Sequence, residues 1–189
     1  MMIVVPPTIK HRTRAADPAN YSKMRREPRL IVIHSTEGRE GDGATDDNVA
    51  AGIAKPKPAG QRTSFHDVVD GDSVTHCVPY LLTAWHAGHT ANLIGIGVEL
   101  CGRADQTRDQ WLDETSGRTL GIAARLVGEL CREFKIPVVY LDAPTLNASN
   151  PRGITMHRDV SNAWHESTHT DPGPHFPIVE FMDAVRGVR

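Results

Sequence analysis

Apolar and polar positions alternate along the chain with two periods, and the change of period marks the elements. "LIVI", residues 30–33, is an unbroken, largely β-branched run that ends in His34 and a Ser-Thr-Glu-Gly turn, which predicts a buried strand. "IGIGVELCG" alternates instead: Ile96, Val98 and Leu100 fall on one face, and Gly95, Gly97, Glu99 and Cys101 on the other. "SFHDVVDGDSVTHCVP" reads as two short strands around an Asp-Gly-Asp turn, and "PVVYL" as one more strand. Between Ser116 and Lys135 the residues Leu120, Ala123, Ala124, Val127, Leu130, Cys131 and Phe134 recur three and four apart, which predicts an amphipathic helix closed by Pro137. Shorter helices are expected at "TDDNVAAGIAK", with its acidic first turn, and over Ile178 to Val185, where Ile178, Met182 and Val185 share a side.

Residues 1–28 have no clear period and are expected to form an extended arm, with a short helix near "DPANYSKMRRE". Residues 29–189 are expected to form one domain, since 189 residues leave room for a single well-buried core. The mixed order of strands and helices points to an α/β or α+β single domain, a central mixed sheet flanked by helices.

Composition narrows the function classes. A hydrophobic share of 39% and a charged share of 23% describe a globular chain, and a net charge of -2 predicts no broad basic face, so nucleic acid is not an expected partner. The N-terminus lacks the basic-then-apolar layout of a signal peptide, and no run approaches the roughly 20 apolar residues of a membrane span. A monomer made in the cytoplasm, with no membrane insertion, is the expectation. Cys77, Cys101 and Cys131 are odd in number and show no CxxC spacing, which reads as free thiols.

Histidine is the outlier, with ten residues, four of them in "GITMHRDVSNAWHESTHTDPGPHFP". His34 at the end of a buried strand fits two readings, a satisfied structural histidine or a ligand. His157 after "GITM" and Asp171 before a proline turn would complete two imidazoles and a carboxylate, a set that suits catalytic zinc with one position left to water. The spacing matches no local metal motif such as HExxH. Glu99 likewise fits either an open cleft, on a face stripped by two glycines, or an exposed edge strand.

"IVIHST", "TAWHAG", "IGIGVELCG", "ITMHRD" and "HTDPGPHFP" occur in the order found in zinc-dependent N-acetylmuramoyl-L-alanine amidases, and the chain resembles that family from Leu30 to Val185. The family includes bacteriophage lysins, muropeptide-recycling amidases and peptidoglycan-recognition proteins. The resemblance implies Zn2+ on His34, His157 and Asp171, with Glu99 of "GVEL" as general base. It further implies that peptidoglycan is the partner and that the amide between the lactyl group of N-acetylmuramic acid and L-alanine is cut. It places Trp85 and His86 of "TAWHAG" at the substrate. Two positions depart from the family: Phe65 stands where cysteine-ligand members carry a tyrosine, and His169 where a lysine is usual. His169 is expected to serve the developing oxyanion, and an imidazole loses its charge near neutral pH, so activity is expected to fall above neutrality. His165 and His175 are expected to be bystanders, Asp159 and Glu166 to cap or orient, and Cys101 to stay out of the ligand set. The Arg-, Ala- and Asp-rich usage points to a GC-rich genome, as in actinobacteria and their phages, and a phage lysin, which without a signal peptide would reach the wall through a holin, is the expectation. The alternatives are a cytoplasmic recycling amidase and a binding module without catalysis.

Overall fold

The computed structural model describes residues 3–24, 27–41 and 43–188. In chain order the strands are β1 (Lys10–Thr13), β2 (Tyr21–Ser22), β3 (Leu30–Ser35), β4 (Asp67–Val69), β5 (Ser73–His76), β6 (Thr83–Ala84), β7 (Gly95–Leu100) and β8 (Gly153–Met156). The helices are α1 (Thr45–Ala51), α2 (His89–Ile94), α3 (Arg108–Trp111), α4 (Glu114–Glu133), α5 (Ala143–Leu146), α6 (His157–Trp164) and α7 (Ile178–Arg186). Six strands form one mixed sheet in the order β1-β5-β4-β7-β3-β8, and β2 pairs with β6 apart from it. Only the β4–β5 hairpin is antiparallel within that sheet. This is the single-domain α+β architecture expected.

The period-two reading of β7 holds. Ile96, Val98 and Leu100 join Ile31, Ile33, Ile154 and Met156 in a core covered by α4 and α7. Leu30 and Val32 turn to the other face, where α2, α5 and α6 contribute Ala91, Leu146 and Val160. α4 starts two residues before the predicted point because Asp113 caps it, its carboxylate accepting from Ser116 N at 2.9 Å. Its buried face comprises Leu120, Ala123, Ala124, Val127 and Leu130, as the spacing required. Trp111 of α3 is fully buried, edge-on to Phe176 with ring centroids 5.2 Å apart. All three cysteines are buried and free.

Two expectations change. "PVVYL" forms only one bridge, Tyr140 to Ile154, because Pro137 has no N–H to give a ladder and Asp142 already caps α5. The N-terminal segment is part of the sheet: β1 runs parallel to β5, with Lys10 opposite Ser73 and Thr13 opposite His76. Arg12 binds Asp46 at 2.7 Å and Arg14 grips Asp47 with both arms of its guanidinium. Residues upstream lie on α4, where Arg125 donates to the carbonyls of Pro6 and Pro7 at 3.2 and 2.6 Å. Gly121 makes this approach possible, since a Cβ there would sit 2.1 Å from the Val4 carbonyl. In place of the helix near Asp17 there is a 3-10 turn, Pro18–Asn20, running into β2, and the Arg25–Arg26 part of that expectation lies outside the described residues.

Candidate metal centre and catalytic cleft

β3, β7 and β8 are neighbouring parallel strands, so their C-terminal ends open on one side of the sheet, where ligands gather in α/β folds. Register does the rest. His34 pairs with Glu99 across β3 and β7, so the two side chains leave the same face. Met156 pairs with Ile33, and the next residue, His157, therefore falls beside His34.

Asp171 arrives from the loop after α6. Its Oδ2 is 3.1 Å from His34 Nδ1 and its Oδ1 is 3.1 Å from His157 Nδ1, with Ser35 N donating to Oδ2 at 3.3 Å. The loop is held by Arg158, whose backbone N–H binds the Asp171 carbonyl at 3.0 Å and whose guanidinium binds the Gly173 carbonyl at 2.6 Å. Gly173 has φ +93°, and a Cβ there would meet the Ala104 carbonyl at 1.9 Å, so the turn needs glycine twice over.

Among the described residues, His34, His157 and Asp171 form a buried group whose ligand atoms all lie within 4.8 Å of one another. Two imidazole nitrogens and one carboxylate oxygen suit zinc in chemistry and number. Burial alone would raise Asp171, but the hydrogen bonds and charges of His157 and His34 override it and hold the carboxyl far below the usual range. Burial lowers His34, which favours the neutral imidazole a metal needs. These residues fit the ion.

Glu99 is pushed up to about 8, first by burial and then by the carboxylates of Asp171 and Glu37. Glu37 is fixed by Ser35 Oγ at 2.6 Å and Ala104 N at 2.9 Å. Together they line a cleft of about 390 Å³ with Phe65, Lys57, His86 and His169. A larger apolar hollow of about 560 Å³, between residues 3–4 and the start of α4, holds none of these groups.

The other sequence candidates separate clearly. His169 lies in the cleft, 70% exposed, stacked on His157 at 4.9 Å and with Nδ1 3.6 Å from Asp171 Oδ1. Phe65 forms a wall of the cleft. Trp85 lines a neighbouring depression with Met24 and Leu93, whereas His86 turns its ring into the cleft and against His34. The glycine face of β7 is thus covered by His86 and is not an open floor for a large ligand. His165 and His175 are exposed outside the cleft. Glu166 caps the first turn of α2 through Thr90 N and Oγ1, both at 2.7 Å. Asp159 accepts from the Tyr140 hydroxyl at 2.7 Å and holds no imidazole. Cys101 sits in an apolar cluster with Phe65 and Val68, and burial pushes its thiol up.

Three contributors escaped the sequence reading. Ser167 meets His157 Nε2 at 2.9 Å, Arg158 holds the Asp171 turn, and Glu37 faces Glu99. The only signal available was the Arg of "HRD", one residue after a ligand.

The family Amidase_2, described as N-acetylmuramoyl-L-alanine amidase, matches the chain over residues 24–174. A search of curated proteins finds none that matches. Similar solved structures include a mutant endolysin from Bacillus subtilis, 18% identical with a TM-score of 0.66, covering 94% of this chain and 99% of that one. The Staphylococcus aureus hydrolase AmiA in complex with its ligand is 17% identical with a TM-score of 0.66, over 95% of this chain and 83% of that one. The N-acetylmuramoyl-L-alanine amidase LysC from Clostridium intestinale is 17% identical with a TM-score of 0.57, over 96% and 100%. At these identities the structures establish a shared fold.

Proposed function

The chain belongs to the N-acetylmuramoyl-L-alanine amidase family, and from that premise we propose that it hydrolyses the amide joining the lactyl group of N-acetylmuramic acid to L-alanine of the peptidoglycan stem. The observation that carries the proposal is the buried convergence of His34, His157 and Asp171 beside Glu99 at the end of three parallel strands. Zinc held by those three residues would supply a Lewis acid to the scissile carbonyl and to water.

The remaining steps belong to the chain's own side chains. Glu99 takes a proton from the attacking water and returns it to the nitrogen of the departing L-alanine. A carboxyl held near 8 keeps a proton at neutral pH far better than an exposed one, which suits the return step. With Asp171 engaged on a cation, its charge would no longer add to the burial that raises Glu99, and the carboxylate needed for the first step would be favoured. His169 donates a hydrogen bond toward the oxygen on which charge develops. Phe65, without a hydroxyl, packs against substrate and leaves the base duty to Glu99, while Trp85 offers a contact to the wall polymer beyond the cleft.

The setting we propose is a bacteriophage endolysin, monomeric, made in the cytoplasm and released through a holin; the Arg-, Ala- and Asp-rich usage, that of a GC-rich genome, supports the phage origin alone. No helix among the described residues is long and apolar enough to cross a membrane. The test is turbidity loss of purified peptidoglycan with and without chelator, followed by mass analysis of the products. Free stem peptides beginning in L-alanine, lost on chelation and restored by zinc, are the expected result. Wall binding without cleavage would overturn it. For the setting, cytoplasmic expression is expected to leave cells intact until the membrane is permeabilised.

A further inference from the structure

We infer that His86 is a positioning residue for the metal ligand His34: its Nδ1 accepts the proton on His34 Nε2 and so turns the lone pair of His34 Nδ1 toward the metal position. The inference rests on the zinc reading above and deepens it.

His34 has a different partner at each ring nitrogen. Nδ1 lies 3.1 Å from Asp171 Oδ2, and Nε2 lies 3.0 Å from His86 Nδ1. A neutral imidazole carries one proton, and each side competes for it. If Asp171 wins, the proton sits on Nδ1 and occupies the place where the ion must bind. If His86 wins, the proton sits on Nε2 and Nδ1 is ready to ligate. A ligating histidine commonly donates its second N–H to an acceptor that fixes ring and tautomer. His86 Nδ1 is in position to be that acceptor.

The fold is built to keep it there. Asn92 Oδ1 accepts from His86 N at 2.8 Å and from Ala87 N at 2.9 Å, which pins the loop. The His86 ring then lies on the glycine face of β7: a Cβ at Gly97 would stand 2.7 Å from His86 Cγ and 2.9 Å from Nδ1, and one at Gly95 would stand 3.4 Å from Cε1. The His34 and His86 rings meet nearly at right angles, with centroids 5.1 Å apart, so a nitrogen of one points at the edge of the other. This accounts for Gly97 without any substrate lying over it, while Gly95 is required by the Ala91 carbonyl, 2.7 Å from where its Cβ would stand.

Zinc affinity decides the matter, measured by competition with a chromophoric chelator at fixed pH. The proteins compared are the wild type, His86→Phe, which keeps a ring without an acceptor, His86→Gln, which keeps an acceptor, and Gly97→Ala, which displaces the ring. Loss of affinity of about 10–100-fold is expected for His86→Phe and Gly97→Ala, with partial recovery in His86→Gln. Tight zinc in wild type and variants alike, with a raised KM on a soluble muropeptide, would overturn the assignment and return His86 to the substrate. Failure of the wild type to bind zinc would overturn the metal reading itself. Should the variants not fold, nitrogen NMR of the imidazoles in zinc-loaded wild type still decides: a proton on His34 Nε2 supports the inference, and one on Nδ1 overturns it.

Discussion

A carboxyl that burial and two neighbouring carboxylates hold near 8 is a poor ligand and a good proton carrier, and Glu99 has consequences beyond catalysis. Its pKa is raised on folding from an ordinary 4.5, so between those values the folded state keeps a proton that the unfolded chain releases, a cost to stability that grows as pH rises toward 8. Glu99→Gln removes that cost. In the metal-free protein the substitution is expected to raise Tm at pH 8 and to change it little at pH 5, which thermal melts at the two pH values would show. Glu99→Gln should also keep zinc while losing about 10²–10⁴ in rate, read from released stem peptide and bound metal together. For His169, which reaches the cleft beside His157, exchange to alanine is expected to slow hydrolysis while leaving zinc bound, read from the same two measurements. His34, His157 and Asp171 could be named from the sequence because five short motifs fall in the order of the amidase family; residue type and spacing alone left them, and Glu99, open to a structural reading. The direction of the His86 ring was not, since nothing in "TAWHAG" says whether a side chain turns outward to substrate or inward to His34. Ser167 and Arg158 act through a single hydrogen bond or a backbone carbonyl, contacts that leave no pattern in sequence.

Elements with their own period were readable, and elements that depend on a distant partner were not. β3, β7 and α4 each carry enough apolar positions to declare a face, and their observed limits differ from expectation by a few residues. β1 has no such pattern: "KHRT" is exposed at most of its positions and becomes a strand because β5 offers an unpaired edge and Asp46 and Asp47 offer carboxylates. Its attachment therefore combines backbone pairing with ion pairs, and the second part should depend on pH. The Arg14 hydrogen bonds lower the Asp47 carboxyl, and against the opposing effect of burial Lys10, Ser73 and the Gly43 backbone leave Asp72 at about 2. Carboxyls depressed on folding stabilise above their unfolded range and cease to do so as pH falls through the folded value. Amide exchange at residues 10–14 and 73–76, corrected for intrinsic rate, is expected to quicken selectively between about pH 4 and 2. Asp47→Asn should bring part of that loosening to neutral pH. Uniform exchange across the whole sheet under the same conditions would mean that β1 is held by packing alone.

At the scale of the molecule, the site gathers at the C-terminal ends of the strands whose apolar residues form the core. The apolar residues of β3, β7 and β8 are closed off by α4 and α7 on one face and by α2, α5 and α6 on the other, with no contribution from the ligands to either cluster. His34, His157 and Asp171 are instead tied to one another, to Ser35 and Ser167, and through His86 to the glycine face of β7. Asp171 in the metal-free protein already has two imidazole partners, so removing the ion leaves hydrogen bonds in place of an uncompensated buried charge. Chelation should then abolish hydrolysis without unfolding the chain. Free zinc at 100 times its dissociation constant adds about 2.7 kcal/mol to the folded state. For a chain of this length that corresponds to a Tm rise of about 5–10 °C, and the rise should grow with free zinc concentration. Circular dichroism melts in chelator and in buffered zinc measure both halves of the claim. A chain that unfolds on chelation would show that the metal closes the fold as well as the site, and the separation of core from cleft along these strands would then be structural in appearance only.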